Sequence, residues 1–192
     1  MRKAWLVGLV ITAALGSLAI SLGNLDLAIA APTIESTPVP APQKPDFAPM
    51  KYLMGTWNCT SKSSRRPTAS KFTTANSLDS TGYWIIGQDY APGASWYPYA
   101  TKGIDKMTYD SDSKLWIDVY TDDRGGYGIS KSPGPHGNTI VWSDAYFTPY
   151  SDIVSQSPTT ETFSSTKRVM HQTFRVKSGM VNRVDTVCIK TS

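Results

Sequence analysis

The chain is dominated by short segments in which apolar and polar residues alternate, separated by turn-forming residues. Successive side chains of a β-strand point to opposite faces, so a period of two indicates a strand with one buried face. The segments predicted as strands are Gly55–Thr60, Lys71–Leu78, Gly82–Tyr90, Ala100–Tyr109, Lys114–Tyr120, Tyr127–Ser130, Thr139–Phe147, Thr159–Ser164, Lys167–Val176 and Met180–Lys190.

Tight turns join several of these segments directly. Asp110–Ser113 and Lys177–Gly179 each connect two predicted strands, while Ala48–Met54 is predicted as a single helical turn. About nine or ten consecutive short strands joined by turns predict an antiparallel meander. A sheet of that many twisted strands usually closes or folds over, because closure removes its edges. We therefore predict an all-β fold, an antiparallel up-and-down β-barrel of about 8–10 strands, filled by side chains or holding one small ligand.

The first 30 residues have the features of a secretory signal peptide. Met1–Lys3 is positively charged, Ala4–Leu22 is uncharged and mostly apolar, and Ala28–Ala30 fits the small-x-small cleavage rule. Cleavage after Ala30 is predicted, which would place the mature chain in the periplasm or outside the cell. The alternative is an uncleaved membrane anchor, since the apolar run is near the lower length limit for a bilayer span.

A proline-rich stretch follows the predicted signal peptide. Residues 31–49 (APTIESTPVPAPQKPDFAP) hold many of the 13 prolines of the chain. Because proline has a fixed φ and no N–H to donate, this stretch is predicted to be an extended, disordered tether. The folded domain is accordingly predicted to span residues 50–192.

Charge and motifs exclude several classes of function. The formal net charge of +4 is dispersed, and basic residues adjoin only in short pairs such as Arg65 with Arg66, so no nucleic-acid partner is expected. The sequence has no G-x-S-x-G, no H-E-x-x-H and no phosphate-binding glycine loop. His136 lies in a predicted loop and His171 on the outer face of a strand. We therefore predict neither a metal site nor catalytic residues, and favour a non-catalytic protein.

The two cysteines test whether the sheet closes. Cys59 lies in the first predicted strand and Cys188 in the last. In a closed meander these strands are neighbours, so a Cys59–Cys188 disulfide would join the seam of the barrel. Disulfides are permitted in an exported protein. The alternatives are two free buried thiols or a metal pair, although two cysteines without nearby histidines make a poor zinc site.

The two ends of the domain carry a family resemblance. The opening Leu53–Cys59 (LMGTWNC) resembles the L-x-G-x-W start of lipocalin-like proteins. Together with the closing pattern from Lys167 to Cys188, it resembles secreted bacterial lipocalin-like domains of unknown function. The resemblance implies a β-barrel with an internal cavity. Haem-binding barrels of the nitrobindin type also begin with G-x-W, but Asn58–Thr60 departs from their glycine-rich continuation, so no cofactor is expected.

Two predicted strands repeat the pattern W-x-D-x-Y. The residues concerned are Trp116, Asp118, Tyr120, Trp142, Asp144 and Tyr146. Alternation places the three members of each set on one face, so both sets could line one cavity. Aromatic walls with a few polar groups are typical of ligand sites, and carboxylates beside rings suit a cationic or hydroxyl-rich ligand. The alternatives are a structural role in a packed core, or a barrel enzyme that uses Asp118 and Asp144 as an acid/base pair.

One loop supplies a further candidate ligand-binding residue. Ala91–Ala100 (APGASWYPYA) carries Trp96 between prolines, where an aromatic side chain can cover a ligand or plug the barrel. The leading hypothesis is an exported carrier of a small apolar or amphipathic ligand. An envelope structural or interaction protein with a packed barrel is the alternative, and contact with a membrane is expected only if the signal peptide is uncleaved.

Overall fold

The computed structural model describes residues 41–147 and 152–191, and for residues 144–147 it describes the backbone alone. The predicted signal peptide and residues 31–40 of the predicted tether lie outside the described residues. The chain divides into two units, Met1–Ala41 and Pro42–Ser192, and the second contains the elements given below.

The second unit is a closed antiparallel β-barrel, as the alternation predicted. The strands are β1 (Gly55–Ser63), β2 (Ser70–Leu78), β3 (Ile85–Ala91), β4 (Thr101–Asp110), β5 (Leu115–Asp122), β6 (Tyr127–Ser132), β7 (Thr139–Phe147), β8 (Ile153–Gln156), β9 (Thr159–Phe163), β10 (Lys167–Val176) and β11 (Val181–Lys190). Neighbouring strands pair in the order β11-β1-β2-β3-β4-β5-β6-β7-β9-β10, and β10 also pairs with β11, which closes the ring.

The disulfide predicted at the seam is present. Cys59 in β1 lies directly opposite Cys188 in β11, and their sulfur atoms are bonded. The pairing of these two strands extends from Trp57 opposite Lys190 to Ser63 opposite Val184. The free-thiol and metal-pair alternatives are therefore wrong, because both sulfurs are used in the covalent bond.

Two details of the strands differ from the prediction. Strand β8 was not predicted, because its four residues do not alternate; it pairs only with the end of β10, next to the barrel wall. Strand β3 begins at Ile85 rather than Gly82. The carboxylate of Asp79 accepts hydrogen bonds from the backbone N–H groups of Gly82, Tyr83 and Trp84, which holds these residues in a loop.

A short 3-10 helix, Ala48–Leu53, closes one end of the barrel, where the sequence predicted a helical turn. Its Met50 and Leu53 are buried in the main apolar core. The carbonyl of Leu53 accepts hydrogen bonds from Trp57 Nε1 at 2.8 Å and from Asn76 Nδ2 at 2.9 Å. The helix is therefore tied to β1 and β2. Within the described ranges, no helix has the length and apolar character needed to cross a bilayer.

The compact unit begins at Pro42, eight residues before the start that was predicted for the domain. The ring of Phe47 packs on Trp116 with centroids 5.6 Å apart. The hydroxyl of Tyr83 donates to the carbonyl of Pro42 at 2.8 Å. Proline content alone does not decide where a folded unit begins, since one large apolar side chain such as Phe47 can anchor the chain to a core.

Candidate ligand-binding site

The barrel interior is packed at the end with the 3-10 helix and hollow beyond it. Two cavities of about 280 Å³ and about 180 Å³ lie inside the strands. The two cavities share six of their lining residues, namely Leu53, Asp105, Met107, Asp118, Arg168 and Met170. They therefore adjoin each other within one interior space. Its floor is formed by Leu53 of the helix.

The first W-x-D-x-Y set, on β5, faces the interior. Trp116 is buried in the packed core, with its ring centroid 5.3 Å from that of Tyr109. Asp118 and Tyr120 lie further along the same face and line the larger cavity. The set thus runs from the packed end into the hollow part of the barrel, so only two of its three members are in a position to contact a ligand there.

The second set, on β7, is separated from β5 by β6, as expected. Trp142 lines the larger cavity and donates from Nε1 to Glu161 Oε2 at 3.4 Å. The backbone of Asp144 pairs with Ser130, and that of Tyr146 pairs with Gly128. The side chains of Asp144 and Tyr146 lie outside the described part of the chain, so the predicted pairing of Asp144 with Asp118 stays a prediction.

The loop tryptophan lines a different cavity. Trp96 and Tyr120 both line a space of about 460 Å³ that also contains Arg65 and Arg124. Trp96 does not line either interior cavity, because its Nε1 donates to the carbonyl of Thr68 at 3.2 Å and its ring lies 4.5 Å from the guanidinium of Arg66. Tyr120 lines both this space and the larger interior cavity. Trp96 is thus placed to contact a ligand in this space of about 460 Å³ and not in the two interior cavities.

Two further aspartates line the interior, and neither was predicted. Asp89 on β3 and Asp105 on β4 each follow a glycine in the pattern G-x-D, with Gly87 directly opposite Asp105. A Cβ atom on Gly87 would lie 3.1 Å from Cβ of Asp105. The glycine leaves room for the carboxylate of the neighbouring strand. The repeated G-x-D pattern in consecutive predicted strands was the signal that could have identified both residues.

Of the three interior aspartates, Asp105 interacts with both of the others. Burial, followed by the negative charges of Asp118 and Asp89, raises the pKa of Asp105 well above the ordinary carboxyl value, and Arg168 offsets part of this. A hydrogen bond with Asp89 contributes in the same direction. Oδ1 of Asp89 is buried and has no hydrogen-bond partner among the residues that the structure describes. The cluster therefore favours binding a proton or another cation.

Arg168 is the one basic side chain among the described residues that line the two interior cavities, and it is paired with Glu161. Nε of Arg168 lies 2.5 Å from Oε1 of Glu161, whose side chain is only 2% exposed. Burial opposes the charge of Arg168, but Glu161 holds the pKa of its guanidinium above the ordinary value. The guanidinium also lies 5.5 Å from the ring centre of Trp57 and 5.9 Å from that of Tyr52. This ion pair joins β9 to β10 and limits how far Arg168 can neutralise the aspartates.

The predicted loop and surface histidines are where the sequence placed them. His171 on β10 is exposed on the outer face, with Nδ1 2.6 Å from Oδ1 of Asp185, and His136 lies in the loop before β7. In the described ranges, no group of three or more His, Cys, Asp or Glu residues could hold a metal ion.

Known proteins resemble this chain in fold rather than in sequence. No protein-family model and no curated protein matches the chain. The crystal structure of Rv2717c from M. tuberculosis is similar, with a TM-score of 0.56 and 9% identity, over 76% of this chain and 97% of that chain. A redesigned β-barrel, mFAP1, bound to DFHBI, aligns with a TM-score of 0.32 and 16% identity, over 76% of this chain and 100% of that chain. Only the first TM-score indicates a shared fold. The fold and the cavity together define a closed ten-stranded β-barrel with a hollow, acidic interior.

Proposed function

We propose that this protein is an exported, lipocalin-like binding or carrier protein for a small molecule, and that the ligand occupies the barrel interior. The observation that carries the proposal is the interior cavity of about 280 Å³, which lies just below the roughly 300–1,000 Å³ typical of ligand pockets. Trp142, Tyr120 and Met170 supply apolar area, and Asp105 and Asp118 supply a few polar groups. That combination orients a small ligand and excludes water from it.

A structural barrel with a packed interior is the alternative function. A packed barrel would fill its inner face with apolar side chains, because buried carboxylates destabilise a core unless they are compensated. Here the packed region ends near Met107, and Asp89, Asp105 and Asp118 follow in a hollow space. Retaining ionisable groups and empty volume together favours a binding role over a packed structural one.

Export is supported by two features of the chain. The sequence of residues 1–30 has the charged start, apolar run and small-x-small site of a signal peptide. Cys59 and Cys188 form a disulfide, and structural disulfides persist mainly in oxidising compartments. We propose cleavage after Ala30 and a periplasmic or extracellular location, with residues 31–40 as a tether. An uncleaved anchor would instead hold the barrel at a membrane.

Native mass spectrometry of protein purified gently from the exported fraction tests both proposals. We expect a chain that begins at Ala31, two hydrogens lighter than the reduced mass, with a small-molecule adduct. The variant Ser130→Phe places a ring in the cavity and should lose the adduct, whereas Ser143→Phe, on the exposed outer face of β7, should retain it. A bare protein under all gentle conditions, with no small molecule that raises its Tm, would contradict the binding proposal.

Catalysis by paired aspartates is a second candidate, and one observation favours it. The sequence suggested Asp118 with Asp144, while the structure brings Asp118 near Asp105, whose pKa is raised. A neutral carboxyl beside an ionised one can serve as an acid/base pair. Incubating the isolated adduct with water distinguishes the two functions. A carrier returns the molecule with its mass unchanged, and an enzyme releases a product of different mass.

A further inference from the structure

The charge of the cavity narrows the class of ligand, on the assumption that the proposed binding function is right. We infer that the ligand is a small organic cation, an amine whose ammonium group binds at the cluster of Asp89, Asp105 and Asp118. Its apolar part would then lie against Trp142 and Met170, which line the same space.

The three aspartates are placed close together by the strand register. They lie on β3, β4 and β5, which are consecutive neighbours in the barrel wall. Asp89 pairs with Gly103 and Asp118 pairs with Met107, which lie two residues to either side of Asp105, so Asp105 is the diagonal neighbour of both other aspartates on the inner face. Diagonal neighbours on a sheet are close enough for their side chains to interact. The three carboxyl groups therefore face one part of the interior, with Asp105 between the other two.

The described interior lining carries more acidic than basic side chains. Among the described residues that line the two interior cavities, four are acidic and one is basic, namely Asp89, Asp105, Asp118, Glu161 and Arg168. Arg168 forms a salt bridge with Glu161. Arg168 is thus shared between Glu161 and the aspartates, so positive charge is scarce in the described lining of the two interior cavities, and a buried carboxylate without compensation is costly. A bound cation would supply the missing charge.

The hydrogen-bonding capacity of the site also matches an ammonium group. Oδ1 of Asp89 is buried without a hydrogen-bond partner among the described residues, and it lines the interior. An ammonium group has three donors and no acceptor, which matches a site composed of carboxylate oxygens. A neutral alcohol offers one donor and no charge, and an anion would be repelled. The site therefore selects for an amine over its uncharged or acidic analogues.

The other residues of the cavity lining, and the cavity volume, limit the size and polarity of the part of the ligand beyond its ammonium group. The described aspartates do not form a cluster that could hold a metal ion, which favours an organic cation over a bare one. Leu53, Met107, Trp142 and Met170 provide an apolar wall, and the ring of Trp142 can also attract a cation. A cavity of about 280 Å³ accepts a compact molecule. The structure thus favours a primary amine with one short alkyl or aryl group.

Calorimetry on the full-length mature protein tests the inference with a panel of primary amines from butylamine to phenethylamine. Each amine is compared with its alcohol, and phenethylamine also with phenylacetate. We expect at least one amine to bind about tenfold or more tightly than its alcohol, since a charge-assisted hydrogen bond contributes about that factor. Phenylacetate should not bind in the cavity.

Two aspartate variants and a matched control locate the effect. Asp89→Asn and Asp118→Asn should each remove most of the preference for the amine, whereas Asp112→Asn, in the exposed turn between β4 and β5, should preserve it. Circular dichroism checks that each variant remains folded. If folded Asp89→Asn and Asp118→Asn both retain the full preference, the assignment of the ammonium site is wrong.

The failure of this inference can be told apart from the failure of the binding function. If alcohols or phenylacetate bind as tightly as amines, and Ser130→Phe abolishes that binding, the cavity binds small molecules but does not select cations. If no member of the panel binds, the chemical identity of the adduct in native mass spectrometry distinguishes the two failures. A neutral or acidic adduct refutes the inference of an amine ligand and leaves the binding function intact. A protein with neither adduct nor binding overturns both.

Discussion

Reducing the Cys59–Cys188 disulfide should destabilise the barrel mainly through the unfolded state. The bond links residues 129 apart, close to the two ends of the folded domain. Strands β1 and β11 remain paired by their backbone hydrogen bonds from Trp57 to Ser63 whether or not the bond is present. The native barrel therefore stays closed after reduction, while the unfolded chain becomes free to expand.

The expected magnitude follows from the length of the closed loop. In the chain-entropy model, a cross-link over 129 residues stabilises the folded state by about 5 kcal/mol. With a urea m-value of about 2 kcal/mol/M, the midpoint of unfolding should fall by about 2.5 M on reduction. The m-value itself should rise, because the reduced unfolded chain exposes more surface.

Urea titration followed by tryptophan fluorescence measures both quantities on oxidised protein and on protein kept in reductant. The double variant Cys59→Ala with Cys188→Ala, in oxidising buffer, controls for effects of the reductant, and should match the reduced protein apart from a small packing loss at two buried sites. A change in unfolding free energy below about 1 kcal/mol, with an unchanged m-value, would refute the loop argument. It would mean that β1 and β11 stay associated in the unfolded chain.

Three further changes test the interior. Because the folded-state pKa of Asp105 lies above its ordinary value, the folded protein binds more protons than the unfolded chain between these two values, so stability falls as pH rises through that window. Asp105→Asn should therefore flatten the profile of Tm against pH above about pH 4 and raise Tm at neutral pH, and an unchanged profile would contradict this. Glu161→Gln should cost about 3–5 kcal/mol in urea unfolding, because it leaves Arg168 buried without its closest anion; a loss under about 1 kcal/mol would count against the pairing. Gly103→Ala should cost about 1–3 kcal/mol, since its Cβ would lie 2.5 Å from Cε2 of Tyr120, and wild-type stability would show that this ring moves freely.

Much of the barrel could be predicted because its strands are local features. The bounds of β7 and β10 match the predicted segments from end to end. Alternation is a property of adjacent residues, so it can be read without knowing what the strand packs against. Strand β8 escaped prediction because the short run Ile153–Gln156 acquires its conformation from pairing with β10.

The site was predicted only in part. Asp118, Tyr120 and Trp142 line the interior, and alternation was sufficient to place them on an inner face. Trp96 instead lines the separate cavity of about 460 Å³, because hydrogen bonding to Thr68 and stacking with Arg66 determine the direction of its side chain. Such contacts between distant loops leave no local pattern in a sequence.

The amino-acid sequence by itself determined that the chain forms a meander of short strands, and that its first and last strands each carry a cysteine. Alternation and turn residues act over a few positions, and closure follows from the number of strands. Only the tertiary structure decided that Asp89, Asp105 and Asp118 meet in one hollow region while Arg168 pairs with Glu161. That outcome depends on strand register, which is a collective property of the sheet, since a shift of one residue would turn each of these charges to the opposite face.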